Sequence, residues 1–253
     1  MTAKNAKLPV WLTAIDAYAG SFGNLPTLAR VAVIPYCLAY AAGFSVGFVA
    51  AFTGYGDQLA DPFSSWNVAA WLIQAIILSI FAVAWHRFVL LGPSIARTKL
   101  GIDVTRREIV FIAYAFIIGV ILWGPYLIGL IRRPPSFDWL TIALLLWPVY
   151  IFPVVARLSL VFPAAAIERR ISFSQAWTMT RGSAWRLTGV LFLCGLPFSI
   201  LYQLVFPLLL DAAGGTIRLV LLVEMAQLIL ICLHIAVAAA VLSLTYRWIS
   251  QRR

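Results

Sequence analysis

From Leu219 to Trp248 the chain reads LVLLVEMAQLILICLHIAVAAAVLSLTYRW, with Arg218 just before it and Arg247 near its close. Between those two arginines Glu224 is the only formal charge. A helix needs about 20 mostly apolar residues to cross the hydrocarbon of a bilayer, and this run exceeds that. Five other stretches share its character: about Leu28 to Phe52, Trp66 to Leu91, Ile109 to Ile131, Trp139 to Ala156 and Leu187 to Leu210. The spacing predicts an all-α integral membrane bundle of six transmembrane helices, forming one domain over residues 1–253. The fourth span is short and the sixth long, so different tilts are expected.

Composition excludes the soluble alternatives. Only 11% of residues are charged and 63% are hydrophobic, whereas a soluble domain carries about twice that share of charge. A formal charge of +10 would suggest nucleic acid in another setting. Here the basic residues stand at the ends of apolar runs, so nucleic acid is rejected and the charge reports orientation and attraction to anionic lipid heads. Cys37, Cys194 and Cys232 all fall within apolar runs without CxxC spacing. That argues against both a disulfide framework and a zinc site.

With the N-terminus placed in the cytoplasm, sixteen of the nineteen Lys and Arg fall on inner segments. Outer segments keep Arg132, Arg133 and Arg218. This bias predicts cytoplasmic N- and C-termini, and a bacterial inner membrane is the expected location. The outer connections, Gly54 to Ser65, Arg132 to Asp138 and Asp211 to Arg218, are too short for an external domain. The inner ones read as short interfacial helices on the cytoplasmic side. One covers about residues 172–181, where Ser172 and Gln175 have capping-box spacing and Gly182 follows as a helix stop. Another covers about residues 10–23 and is expected to lie uncleaved on the inner leaflet, although Ala17-Tyr18-Ala19 loosely imitates a signal-peptidase site.

A weak repeat at an offset of 162 residues aligns Ala14, Gly20, Ser21, Leu25, Pro35 and Tyr40 with Ala176, Gly182, Ser183, Leu187, Pro197 and Tyr202. Arg87 and Pro93 share a spacing with Arg157 and Pro163, each arginine closing an even-numbered span. The suggested unit is an interfacial helix followed by a helical hairpin, an arrangement found in transporters and in inert scaffolds.

Polar groups within the spans are few. Gln203, Glu224 and His234 are the intramembrane polar candidates. Glu224 and His234 are ten residues apart, about 15 Å along a straight helix, which rules out a direct acid–base pair. His86 and His234 differ in depth by about 18 Å, too much for one haem iron to bridge. No GxSxG, HExxH or P-loop occurs, and the acidic residues are dispersed. No cofactor, metal or enzymatic activity is therefore expected. Gly43 and Gly47 form a GxxxG that allows close helix approach. Pro35, Pro125, Pro148, Pro153, Pro197 and Pro207 interrupt or end spans, as kinks or as the breaks of a transporter.

The remaining feature is basic. Arg87, Arg97, Arg106, Arg107, Arg157, Arg169, Arg170, Arg181 and Arg186 flank two cytoplasmic connections. They serve as anchors, or as a contact surface for anionic phospholipids of the inner leaflet or for another membrane protein.

The stretch Arg157-Leu-Ser-Leu-Val-Phe-Pro163, followed by Ala-Ala-Ala-Ile-Glu168, then Ser174-Gln-Ala-Trp177 and Thr180-Arg-Gly182, resembles a bacterial pattern. It is similar to six-span inner-membrane proteins of the YciC type and to the membrane domain of glycerophosphodiester phosphodiesterases. Gln175 stands where those proteins carry an acidic residue, and the soluble phosphodiesterase domain has no counterpart here. The resemblance implies an inner-membrane protein without an assigned reaction. Residues and resemblance together predict a non-enzymatic accessory or scaffold protein. The alternative is a transporter of small solutes or lipids built on proline-broken helices.

Overall fold

The structure, a computed structural model, describes residues 7–56, 64–93, 105–132 and 139–252. Every regular element among them is helical. They are α1 (Val10–Phe22), α2 (Leu25–Phe52), α3 (Ser65–Leu91), α4 (Arg106–Arg132), α5 (Trp139–Leu158), α6 (Val161–Ala166), α7 (Phe173–Met179), α8 (Ala184–Ile200), α9 (Phe206–Ala212) and α10 (Ile217–Ser250). A π-type turn, Leu201–Val205, joins α8 to α9. Six rods are long and apolar enough to cross a membrane: α2, α3, α4, α5 with α6, α8 with α9, and α10.

Local chemistry sets the boundaries. Ser64 caps α3 by accepting from the Asn67 amide, and Gly92 ends it at φ 92°, a conformation that L side chains resist. Ser172 and Gln175 close a reciprocal capping box on α7, as their spacing predicts. Gly182, at φ 85°, lies in the turn after α7 but two positions beyond its C-cap, Thr180. Pro35, Pro125, Pro148, Pro153 and Pro197 all lie inside helices, whereas Pro207 occupies the first turn of α9.

The core gathers around the C-terminal half of α10. Ala236, Val237, Val241 and Ser243 are fully buried there, while Leu222 and Ile229 in its first half are exposed. One side of α10 packs with α1, α6 and α8, in a cluster that extends to α5 and α7 and includes Ala17, Ala156, Leu160, Ala176 and Leu187. The other side meets α2 and α3 through Val31, Ala39, Phe81 and Trp85. Alanines recur in both seams, six of twenty buried residues in the first and four of twelve in the second, where they let backbones approach closely.

Two expectations are refined. Helix α1 is docked into the protein: Thr13, Ala14, Ala17 and Ser21 are buried, and the Tyr18 hydroxyl donates to the Cys194 carbonyl at 2.8 Å. Its outer face is largely apolar, with Trp11, Leu12 and Ile15 exposed beside Asp16. In the GxxxG pair, Gly43 lies against Gln74 of the same chain. Its Cβ position would sit 2.5 Å from Gln74 Nε2, which donates to the Ala39 carbonyl at 3.2 Å. Gly47 faces open space.

Candidate functional site at the arginine-bearing end

The chain's alternation brings the ends of α3, α5–α6 and α10 together with the starts of α4 and α8. A helix C-terminus leaves carbonyls unpaired and carries the negative end of the macrodipole, so a guanidinium placed there satisfies both. Arg247, near the end of α10, donates Nη2 to the Val89 and Leu90 carbonyls that close α3. Arg87 of α3 donates Nη1 to the Ala166 carbonyl at the end of α6, 3.0 Å away. Arg157 of α5 reaches the Trp177 carbonyl at 2.7 Å and Thr180 Oγ1 at 3.0 Å. Its guanidinium also stacks 3.3 Å from the Trp177 ring centroid. Arg186 of α8 donates to the Leu8 carbonyl ahead of α1 at 2.8 Å. These links tie successive elements into one frame.

A second constellation sits at the first turn of α4. Glu108 is buried and accepts from the Thr105 amide at 2.8 Å and from the Thr105 hydroxyl. Arg107 donates Nε to Glu108 at 2.6 Å and Nη1 to Glu168 at 3.0 Å. Arg87 Nη1 lies 4.0 Å from the same Glu168 oxygen. Glu168 follows α6 at φ 62°, the only non-glycine residue with positive φ among those described. Its amide donates to Ala165 and the next amide, of Arg169, to Ala164, the two bonds of a Schellman turn. That position usually belongs to glycine, because a Cβ there costs about 1 kcal/mol.

Between the start of α4 and the α6–α7 connection lies an open cleft of about 470 Å³, rimmed by Arg106, Arg107, Glu168 and Arg170 over Val110 and Ala165. Of the nine arginines singled out from sequence, Arg87, Arg107, Arg157 and Arg186 thus have internal partners. Arg106, Arg169, Arg170 and Arg181 are exposed and have no partner among the described residues. Arg97 lies outside the described residues.

The intramembrane candidates do not converge. Gln203 is exposed on the π-type turn and Glu224 is exposed on α10. His234 turns inward, stacked on Phe198 at 4.7 Å between ring centroids and 6.0 Å from Tyr202. Sequence reasoning weighed His86 only as a haem ligand. It is in fact 2% exposed, its Nδ1 2.8 Å from Ser243 Oγ and its ring 5.7 Å from Phe111. A signal existed: His86 adjoins Arg87 and Ser243 is one turn before Arg247, which puts both at the same depth. Among the described residues no group of three or more His, Cys, Asp or Glu could hold a metal ion. No family model, curated protein or solved structure matches this chain.

Proposed function

We propose that this chain is a non-catalytic accessory or scaffold protein of the bacterial cytoplasmic membrane, akin to the YciC type, with both termini in the cytoplasm. It acts by seating its arginine-bearing end on anionic phospholipid and presenting that end to a partner protein. The observation that carries this reading is the division of labour among the arginines. Four serve the fold, while Arg106, Arg169, Arg170 and Arg181 are exposed at the same end without partners among the described residues. Each basic group beside an anionic leaflet is worth about 1 kcal/mol, so four supply about 4 kcal/mol, a preference on the order of 10³.

Native mass spectrometry after reconstitution in mixed phosphatidylcholine and phosphatidylglycerol tests this. Wild type should retain phosphatidylglycerol selectively, and a variant with all four arginines changed to Gln should not. Equal retention by the two proteins would defeat the reading. A second reading, transport, is favoured by the π-type turn at Leu201–Val205 beside His234, since such turns recur at functional sites. Under that reading His234→Ala and Gln203→Ala would abolish solute uptake or lipid transfer in proteoliposomes while the fold is kept.

A further inference from the structure

We propose that the cleft between the first turn of α4 and the α6–α7 connection binds a phosphomonoester dianion, with Glu168 as a tethered anion that the ligand displaces. This inference rests on the reading of the exposed arginines as an anion-binding surface and names what one part of that surface takes.

Charge is the first argument. Arg87, Arg106, Arg107 and Arg170 stand at the cleft against the two carboxylates of Glu108 and Glu168, leaving two positive charges unmatched among these groups. A diester headgroup brings one negative charge and a phosphomonoester brings up to two, so the monoester is the better match. The N-terminus of α4, a helix of 27 residues, adds the positive end of its dipole at the same place.

Pre-organisation is the second. Glu108, buried and held by Thr105, fixes the Nε side of the Arg107 guanidinium. That leaves Nη1 directed at Glu168. A donor fixed in this way loses little freedom when a ligand oxygen replaces the carboxylate. Arg106 and Arg170, without partners among the described residues, supply the further charge-assisted bonds that bidentate phosphate recognition uses.

The third argument concerns Glu168 itself. Its side chain is 67% exposed, so its ion pairs with Arg107 and Arg87 are of the weak surface kind. Its backbone occupies a region in which glycine would rest without strain. An acidic residue at such a position, held loosely over two guanidiniums, occupies the seat of an incoming anion and can leave it.

The test uses the full chain in phosphatidylcholine nanodiscs with two probes, glycerol 3-phosphate in solution and phosphatidic acid in the bilayer, and phosphatidylglycerol as the diester comparison. Arg106→Gln and Arg170→Gln should each weaken phosphomonoester binding about tenfold. Glu168→Gly, which suits the local φ, should tighten it about fivefold, with Arg218→Gln at the opposite end as a control that changes nothing. If phosphatidic acid follows this pattern and glycerol 3-phosphate does not, the ligand is a lipid headgroup; the converse makes it a soluble phosphomonoester. Both results support the site. Equal retention of phosphatidic acid and phosphatidylglycerol, indifferent to Glu168→Gly, would overturn the site and leave the anionic-surface reading standing. Retention of neither lipid above phosphatidylcholine would overturn both.

Discussion

Changing Arg157 to lysine keeps the charge and removes the fork, which separates the two roles that an arginine at this end can have. Arg157 makes two hydrogen bonds, to the Trp177 carbonyl and to Thr180 Oγ1, and stacks on the Trp177 ring. In this partly exposed setting each bond is worth about 1 kcal/mol and the stacking about 0.5–1 kcal/mol. Thr180 is fully buried but also donates to the Ala176 carbonyl at 3.0 Å, so losing the arginine leaves no orphaned donor to enlarge the cost. Arg157→Ala should therefore destabilise by about 2–3 kcal/mol. Arg157→Lys retains at most one of the bonds, so its cost should be about 1–2 kcal/mol. Unfolding by sodium dodecyl sulfate in mixed micelles, followed by circular dichroism, measures both. Hydrogen exchange should rise first in α7 and the turn after it. If Arg157→Lys unfolds with wild type and α7 keeps its protection, Arg157 acts as a surface charge and the assignment of these arginines as ties fails.

Three other perturbations probe the packing. Ser243→Ala strands the buried His86 Nδ1 and should cost about 1–3 kcal/mol in the same unfolding assay, whereas His86→Leu combined with Ser243→Ala should cost less than the two singles added together; strict additivity would contradict the contact. Gly43→Leu must push Gln74 from the Ala39 carbonyl and should lower stability by about 1–3 kcal/mol, while Gly47→Leu, facing open space, should be close to neutral. A loss of oligomer with Gly47→Leu on size-exclusion chromatography would show that the pair serves a dimer seam. Ala17→Leu, at a position with no exposure, should undock α1 by overpacking at a cost of about 1–3 kcal/mol. Its readout is faster hydrogen exchange over α1, and unchanged protection would mean that α1 is not packed as described.

How much of this was legible in the sequence depended on whether the signal was local. All six spans were, because twenty apolar residues leave few alternatives; the helices begin a few residues earlier, at Leu25 and Arg106 for example, since their ends run on into polar residues. The capping box at Ser172 was legible for the same reason, its partners being three residues apart. The suspected repeat has a counterpart in element order: α1 then α2, and α7 then α8, are each a short helix followed by a long one with proline inside. Ala14 and Ala176 are both buried. The glycines diverge, for Gly20 lies within α1 and Gly182 in a turn of positive φ. The destinations of the guanidiniums were not legible. The partners of Arg87, Arg186 and Arg247, and one of those of Arg157, are backbone carbonyls of other segments, and a carbonyl leaves no trace in a side-chain pattern. The docking of α1 was hidden for a related reason, since Ala14, Ala17 and Ser21 look unremarkable until a helix face is pressed against them.

In lipid, burial of apolar surface does not drive helices together, so contact area is a poor guide to what holds this bundle. Most of each rod except α10 is less than fully buried within its apolar window, with 17–33% buried against 56% for α10. The packed end carries more of the polar bonding between elements, though the Tyr36–Met225, Gln74–Ala39 and Trp147–Leu122 bonds lie toward the open one. The arginine links, the His86–Ser243 bond and the tie from Tyr18 to Cys194 belong to the half in which α10 is enclosed. An arginine at a helix end thus performs two physical tasks, biasing which side of the membrane the end occupies and closing the carbonyls of a neighbouring helix. Charge counting registers only the first and so credits every inner arginine to the lipid. The surface left for a ligand is narrower, the few guanidiniums without a partner among the described residues, and of the three that rim the cleft beside Glu168, Arg106 and Arg170 belong to that group.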